Sequence, residues 1–380
     1  MSISVSDAMQ IKHLKHLELV AGKDGLNKMI DKIGILDHEI VEGVIDNFSI
    51  GDFVITTFTS IRDDERKLLE VIKDLIICDI SALAIKKIFY KKLPENIIEL
   101  ANKKKLPIFM FEENVYFEDI IEDLLSGMQS RSRMEIISSK IKILFENDLK
   151  DNIVKELAYE LNPNFFSEYM VIYLKERKYL SDENTLKLSE RFHRSRSRSI
   201  HHSVFKYLEG LMIIITFEKI TEMDVTIDLN YIFNQLSIDK KDYYIGKSRF
   251  FKCLTQLDIS IKESIYAMET SELLNLNEES YENIGIYKIL LPYKKDKWLK
   301  QFTSEIIMDI KNYDDGKLLE TARIYIKNNG DISKTALEMF QHKNTIRYRI
   351  KNLEKILKAK NGDFYEQLSI AIKSEKLIDL

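Results

Sequence analysis

The chain has 380 residues, of which 45% are apolar and 31% charged, and a net charge of −4. This is enough for two or three domains, and with only 4 prolines and 12 glycines the composition argues against a disordered or linker-dominated protein. No apolar run approaches the ~18 residues of a membrane span, no signal-peptide pattern opens the chain, and Cys78 and Cys253 are more typical of buried thiols than of a disulfide. We therefore expect a cytoplasmic protein.

Residues 1–125 alternate short apolar runs with amphipathic stretches, which predicts an α/β domain. The runs predicted as parallel strands are Lys32–Leu36, Asp52–Thr57, Ala82–Lys86 and Pro107–Phe111, and the stretches predicted as helices are Glu65–Ile77 and Glu95–Asn102. Ligands of open α/β sheets bind at the carboxyl ends of the strands. Any ligand of this domain is therefore expected at Asp37, Thr56, Thr57 and Lys86, the candidate effector-binding residues if the domain is sensory. The two threonines could instead only cap the element that follows.

A helical connector is predicted for residues 126–161. Met134, Ile137, Ile141 and Leu144 follow a 3-4-3 spacing, which is a short heptad-like seam. The seam fits either a short coiled coil or a single helix packed against a neighbouring domain.

Residues 162–313 predict an α+β domain in the order β-α-β-β-α-β. Its predicted strands are Tyr169–Leu174, Ser203–Tyr207, Leu211–Phe217 and Tyr243–Gly246, and its helices are Asp182–Phe192, Leu229–Leu236 and Leu257–Leu274. Basic residues occupy Arg191–Arg198, followed by His201 and His202. They could form an anion site, although a solvated basic loop is the favoured interpretation.

Residues 314–380 predict three or more helices around a helix-turn-helix. Leu318–Lys327 is the first helix; Ser333 is expected to cap the second, with Ala336, Leu337 and Phe340 packed inward. Gln341–Lys343 is the predicted turn. In the next helix the residues of one apolar stripe are Ile346, Ile350, Leu353 and Leu357, and the opposite face is polar and basic.

Charge supports a nucleic-acid-binding function for this part. Between Lys317 and Lys358, seven lysines and three arginines stand against four acidic residues, a net charge of +6 on a chain whose remainder carries −10. The candidate DNA-binding residues are Ser333, Thr335, His342, Lys343, Asn344, Thr345, Arg347, Tyr348, Arg349 and Lys351. The alternative is a basic three-helix module that binds a protein.

The nine residues His342–Ile350 (HKNTIRYRI) closely resemble the pattern HRNTLRYRL of the C-terminal helix-turn-helix in the PucR/CdaR family of bacterial transcriptional regulators. Gly51–Thr57 (GDFVITT) resembles that family's N-terminal GELVLTT. The resemblance implies an N-terminal sensory domain for a small metabolite, a GGDEF-like middle domain and a C-terminal DNA-binding domain. It also implies a short strand at Gly285–Leu291, just before the helix-turn-helix.

A cyclase with the GGDEF fold needs clustered carboxylates to hold two Mg²⁺ ions. Here the first strand of the domain ends at Lys175 and Glu176, and the hairpin offers only Glu209 and Gly210. We therefore expect a degenerate, non-catalytic domain, and the sequence predicts neither an enzyme nor a cofactor or metal site.

These observations predict a metabolite-responsive transcriptional regulator of catabolic genes, for purines or another nitrogen or carbon source. It would bind double-stranded DNA as a homodimer or higher homo-oligomer. The alternative is a signalling protein that binds a nucleotide or cyclic dinucleotide in its degenerate cyclase domain.

Overall fold

The computed structural model describes residues 2–37, 44, 46–62, 64–178, 185, 188–189, 191–192, 199–219, 221–313, 316–358 and 363–378. The chain divides into two compact units, residues 1–141 and 142–380. No helix in these described ranges is both long and apolar enough to cross a membrane.

The first unit is built on a five-stranded sheet. The strands of this unit are β1 (Ile3–Ser4), β2 (Glu18–Ala21), β3 (Met29–Ile30), β4 (Lys32–Ile35), β5 (Asp52–Thr56), β6 (Ala82–Lys86) and β7 (Ile108–Phe111). Its helices are α1 (Val5–Ala8), α2 (Glu65–Ile77), α3 (Glu95–Lys104) and the first part of α4 (Phe117–Glu146). The strand order is β2-β7-β6-β5-β4, in which β4 to β7 are parallel and β2 is antiparallel; β1 and β3 form a separate pair. The predicted parallel strands and both predicted helices are confirmed.

Both faces of this sheet are covered, which explains why its central strands are apolar throughout. On one face, Val54 and Leu83 share a core with Leu68 and Ile72 of α2. On the other face, Phe53 packs in a second core with residues from the start of α4. Helix α4 covers the first part of the predicted connector and ends at Glu146, and Ile141 and Leu144 of the predicted seam are buried.

The first part of the second unit contains a five-stranded sheet. Its first elements are α5 (Asp151–Leu161), β8 (Glu168–Glu176), β9 (Ser203–Tyr207), β10 (Gly210–Phe217), α6 (Glu222–Leu236), β11 (Tyr243–Lys247), α7 (Leu257–Leu273) and β12 (Glu278–Ser280). The strand order is β12-β11-β8-β10-β9, with β8 antiparallel to both β10 and β11. Without the edge strand β12, which the sequence did not predict, this is the order of a ferredoxin-like β-α-β-β-α-β sheet.

The prediction of a strand at Gly285–Leu291 is wrong, because this segment contains the short helix α8 (Tyr287–Leu290). Tyr287, Leu290 and Leu291 are buried with Ala267 and Leu377, residues distant in the sequence. A short apolar run does not distinguish a strand from a buried helix, so the packing decided the conformation.

The C-terminal part of this unit is helical. Its helices are α9 (Lys297–Lys311), α10 (Lys317–Lys327), α11 (Ile332–Glu338), α12 (Lys343–Leu357) and α13 (Phe364–Ile378). They share one core, to which each contributes apolar side chains; its members include Ile310, Leu319, Ala336, Ile346, Ile350, Leu353 and Leu368. The predicted helix-turn-helix is thus α11 and α12, supported by α10. The predicted hinge at Asp314 and Asp315 lies outside the described residues.

Candidate nucleic-acid interface

Helix α11 begins with a carboxylate cap at Asp331. Its Oδ1 accepts hydrogen bonds from the backbone N–H groups of Ser333 (2.7 Å) and Lys334 (3.0 Å). These bonds, led by that from Lys334, hold the pKa of Asp331 below its ordinary value. The prediction that Ser333 caps this helix is therefore wrong. Ser333 is instead an exposed residue of the first turn of α11. Lys334, the next residue, is also exposed and was not among the predicted candidates.

The end of α11 also differs from the prediction. Ala336 is buried as expected, but Leu337 is 78% exposed and Phe340 is 93% exposed. At about 100° per residue, Leu337 lies on the side of α11 opposite Met339, which packs against the core. Phe340 follows the end of the helix, so the helical period no longer applies to it. The expected inward packing of Leu337 and Phe340 is wrong.

Helix α12 begins immediately after this turn. His342 is its N-cap, and the ring Nδ1 accepts a hydrogen bond from the backbone N–H of Asn344 at 3.2 Å. Lys343, expected in the turn, is the first helical residue. The positive end of the helix dipole and the side chain of Lys343 therefore lie together at the start of α12.

The two faces predicted for α12 are present. Ile346 and Leu353 are fully buried and Ile350 is 5% exposed, so the apolar stripe is confirmed. The exposed candidate residues are Ser333 on α11 and His342, Lys343, Asn344, Arg347, Tyr348 and Lys351 at the cap and along α12. Arg347 Nη1 lies 3.3 Å from Asn344 Oδ1, which links two of these side chains.

The remaining candidates are turned inward. Thr335 is fully buried, and its hydroxyl donates to the carbonyl oxygen of Asp331 at 2.7 Å. Arg349 is half-buried and donates from Nη1 to Thr321 Oγ1 of α10 at 3.0 Å. Thr345 is also half-buried. Arg349 thus joins α12 to α10, whereas the hydrogen bond of Thr335 lies within the first turn of α11.

In the first unit, the candidate effector residues divide into two groups. Thr56 is buried. Its hydroxyl donates a hydrogen bond to the Leu36 carbonyl oxygen and accepts one from the N–H of Phe58, so both bonds of the hydroxyl are made to the protein backbone. Thr57 donates from Oγ1 to Asp37 Oδ1 at 3.1 Å, which brings these two candidates together.

The other end of the same sheet edge carries the remaining candidate, Lys86, beside residues that the sequence did not predict. Lys86 lies at the end of β6 with its ammonium 5.3 Å from the ring centre of Tyr116. The next residue, Lys87, is 2.8 Å from both Glu18 and Glu112, and the hydrogen bonds to Glu112 and Glu18 raise its pKa. An open cavity of about 580 Å³ adjoins this ion pair and is lined by Lys87, Lys91, Glu112, Glu113 and Asn114.

In the second unit, the end of β8 and the β9–β10 hairpin carry an ion-pair network. Lys175 Nζ lies 2.9 Å from Glu272 and 3.6 Å from Glu209. Among the described residues there is no group of three or more side chains with metal-binding potential. Of the predicted anion site at Arg191–Arg198, residues 193–198 lie outside the described part of the chain.

The two histidines that follow that segment both have protein partners. His201 Nδ1 lies 2.7 Å from the carbonyl oxygen of Asn164. His202 is buried; Nδ1 accepts from the N–H of Thr216, and Nε2 lies 3.2 Å from Asp228. Burial lowers the pKa of His202, against the opposing effect of Asp228.

Two family models match separate parts of the chain. Residues 7–127 match the purine catabolism regulatory protein-like family, PucR, and residues 318–373 match the PucR C-terminal helix-turn-helix domain. The second match contains nearly all of α10, all of α11 and α12, and most of α13; α11 and α12 carry the exposed candidate residues described above.

Two curated relatives from Bacillus subtilis (strain 168) are similar over a third of this chain. The purine catabolism regulatory protein is 26% identical over 125 residues, which are 33% of this chain and 23% of the relative. The proline-responsive transcriptional activator PutR is 27% identical over 127 residues, 32% of this chain and 31% of the relative. Each match thus spans less than a third of the relative's length.

One solved structure is that of a regulator of polyketide synthase expression from Bifidobacterium adolescentis. Its alignment with this protein covers 63% of this chain and 99% of the regulator's chain. The identity is 15% and the TM-score 0.27, too low to establish a shared fold. The family matches do not depend on it. Residues 7–127 are thus similar to the PucR N-terminal family, and residues 318–373 are similar to the PucR C-terminal helix-turn-helix domain.

Proposed function

We propose that this protein is a transcriptional regulator that binds double-stranded DNA through α11 and α12. The observation that supports this most directly is the exposed face of α12, which presents Asn344, Arg347, Tyr348 and Lys351 while the opposite face fills the core. Hydrogen-bonding and cationic side chains along one face of a helix suit the major groove.

The exposed residues divide by chemistry into two roles. Asn344 and Tyr348 carry groups that can hydrogen-bond base edges, whereas Lys343 and Lys351 are suited to phosphates. Arg347 can serve either role, because its guanidinium binds phosphate or a guanine edge in bidentate fashion. Ser333 and His342 lie at the two helix starts, where backbone N–H groups and hydroxyls commonly contact phosphates. Thr335 and Arg349 are assigned to the support of these helices.

The test is a salt-dependent binding titration of the full chain against DNA from upstream of its own gene. Arg347→Ala is expected to weaken binding about tenfold, and a steep salt dependence is expected for the unchanged protein. Arg347 is preferable to Arg349 as the tested position, because removal of Arg349 also breaks the contact with Thr321.

Arg66→Ala is the matched control, since it removes the same charge from an exposed position on α2. Equal affinity of Arg347→Ala and unchanged protein, both in buffer and with a metabolite extract, would contradict the assignment of α12 as the DNA-reading helix. Equal weakening by Arg66→Ala would mean that only net charge matters.

We further propose that residues 1–125 are the sensory domain, 126–161 the connector, 162–313 a degenerate GGDEF-like domain and 314–380 the DNA-binding domain. The strand order β11-β8-β10-β9 supports the third assignment, and the pairing of Glu209 with Lys175 argues against a catalytic carboxylate cluster there. A non-enzymatic, cytoplasmic homodimer is the form that suits the DNA-binding role.

We propose that a small catabolic metabolite binds at the carboxyl edge of the first sheet. Asp37 and Thr57 lie at the end next to β4 and β5, and the cavity beside Lys87 lies at the end next to β6 and β7. The relatives named for purine catabolism and for proline indicate metabolites of nitrogen catabolism as the first class to examine.

A further inference from the structure

The most exposed large apolar side chain among the described residues lies in the turn of the helix-turn-helix. Phe340 is 93% exposed, and Leu337, one helical turn before it, is 78% exposed. Exposing two such side chains forgoes the free energy that their burial would contribute.

The backbone of Phe340 is unfavourable as well. Its φ is +52°, in the left-handed region where glycine is the usual residue after a helix. Phe58 has a similar φ of +55°, but it is fully buried and packs edge-on against Tyr90. Phe340 has no comparable burial to compensate for the strained backbone. A strained, exposed aromatic residue beside a functional helix indicates a role outside the folding of its own domain.

The orientation of Phe340 is set by the backbone. The N–H of Phe340 donates to the Leu337 carbonyl oxygen at 3.2 Å, and the N–H of Gln341 donates to that of Ala336 at 2.9 Å. These bonds hold the turn in one conformation immediately before the N-cap His342. The Cα atom of Phe340 is therefore held at a defined place at the border of the proposed DNA-binding face, with its ring exposed.

The surroundings of this pair are basic. Lys334 precedes Leu337 on α11, and Lys343 follows Phe340 at the start of α12. The nearest acidic residue in the sequence, Glu338, is held by Lys327 at 2.5 Å. A polyanion fits this charge distribution better than an ordinary apolar protein surface does.

The size of the patch also favours DNA. Two apolar side chains expose on the order of a few hundred Å². A stable interface between protein chains buries about 800 Å² on each partner. The pair is too small to be such an interface, but it is large enough to cover one or two base edges.

We infer that Phe340, with Leu337 beside it, contacts thymine 5-methyl groups at the edge of the DNA site bound by α12. The inference rests on the proposed DNA-binding function and adds a preference for T·A pairs at a defined flank. Apolar side chains recognise the thymine methyl group in the major groove, where no other base presents one.

The test uses full-length protein and a duplex selected by the unchanged protein from a random-sequence library. A second duplex carries deoxyuridine in place of every thymidine, which removes the methyl groups and keeps the base pairing. The unchanged protein should bind the uracil duplex about fourfold more weakly for each methyl that it fully buries. Phe340→Ala should bind the thymine duplex more weakly and lose most of the preference for thymine.

Phe340→Gly separates this role from a structural one. Glycine suits the left-handed backbone, so this variant should keep or raise the thermal unfolding midpoint while it loses the thymine preference. Met308→Ala is the matched control, because Met308 is 63% exposed on α9, and it should retain the full preference.

Three outcomes would overturn the inference. If the unchanged protein binds both duplexes equally, or if Phe340→Ala keeps the full preference for thymine, the pair does not contact thymine methyl groups. A protein partner that covers Leu337 and Phe340 then becomes the better explanation of their exposure. In both cases the proposed function stands as long as Arg347→Ala weakens binding. If no duplex is selected at all, the proposed function fails and the inference fails with it.

Discussion

Asp331 determines where α11 starts, and it does so with one carboxylate oxygen and two backbone N–H groups. The first N–H groups of a helix have no partner within the helix, so such a cap satisfies groups that would otherwise need water. The same residue orients Thr335, whose hydroxyl donates to the Asp331 carbonyl oxygen. One residue therefore positions the first turn of the helix that supports α12.

The contribution of Asp331 to stability depends on pH. Because the pKa of Asp331 is lower in the folded protein than its ordinary value of 3.8, the contribution is complete above pH 3.8 and is lost as the pH falls through the lowered pKa. Asp331→Ala should lower the thermal unfolding midpoint at pH 7. Asp331→Asn, which keeps a capping oxygen, should stay near the unchanged protein at pH 7 and show a weaker dependence on acid. Thermal scans from pH 7 to 3 follow both variants, and an Asn variant as unstable as the Ala variant would contradict the capping role.

Helix α12 combines two tasks on opposite sides. Its apolar stripe closes the core of the helical part, and its polar side is left free for a partner. Arg349 lies between the two and joins α12 to Thr321 of α10. The exposed face proposed to read DNA is thereby fixed relative to the rest of the helix-turn-helix.

Substitutions on the two sides of α12 should have opposite consequences. Ile346→Ala removes a fully buried side chain and should lower the free energy of unfolding by about 3 kcal/mol. Tyr348→Ala removes a side chain that is 65% exposed and should change stability by no more than about 0.5 kcal/mol while it weakens DNA binding. Denaturation by urea, followed by circular dichroism, together with DNA titration distinguishes the two. A large loss of stability in Tyr348→Ala would mean that this face is structural.

For the whole protein, the proposed DNA-binding role implies two copies of α12 on one duplex. A two-fold symmetric protein reads two half-sites separated by about one helical turn, or 10 to 11 base pairs. A DNA site found by selection should therefore contain an inverted repeat, and inserting about 5 base pairs between its halves should weaken binding strongly, because one half-site then faces away. Unchanged affinity after such an insertion would contradict binding as a rigid dimer. Sedimentation of the free protein gives the matching measurement of its oligomeric state.

The element types of most of the chain follow from local sequence patterns. Apolar runs separated by amphipathic stretches identified β4 to β7 and the helices α2 and α3, because parallel strands and the helices that cover them have different apolar periods. The apolar stripe of α12 was equally clear from Ile346, Ile350 and Leu353. The basic charge of the same region and the HKNTIRYRI segment led to the predicted resemblance to PucR regulators, which the matches over residues 7–127 and 318–373 confirm.

Which individual side chains are buried and which are exposed was decided only by the tertiary structure. Arg349 is engaged by Thr321, 28 residues earlier, and Gly285–Leu291 becomes a helical segment because it packs with Leu377 near the other end of the unit. Leu337 and Phe340 are exposed because α11 ends before the turn and only its opposite side meets the core. Periodicity depends on neighbours within a few residues, whereas these outcomes depend on contacts between distant segments, so no local pattern contains them.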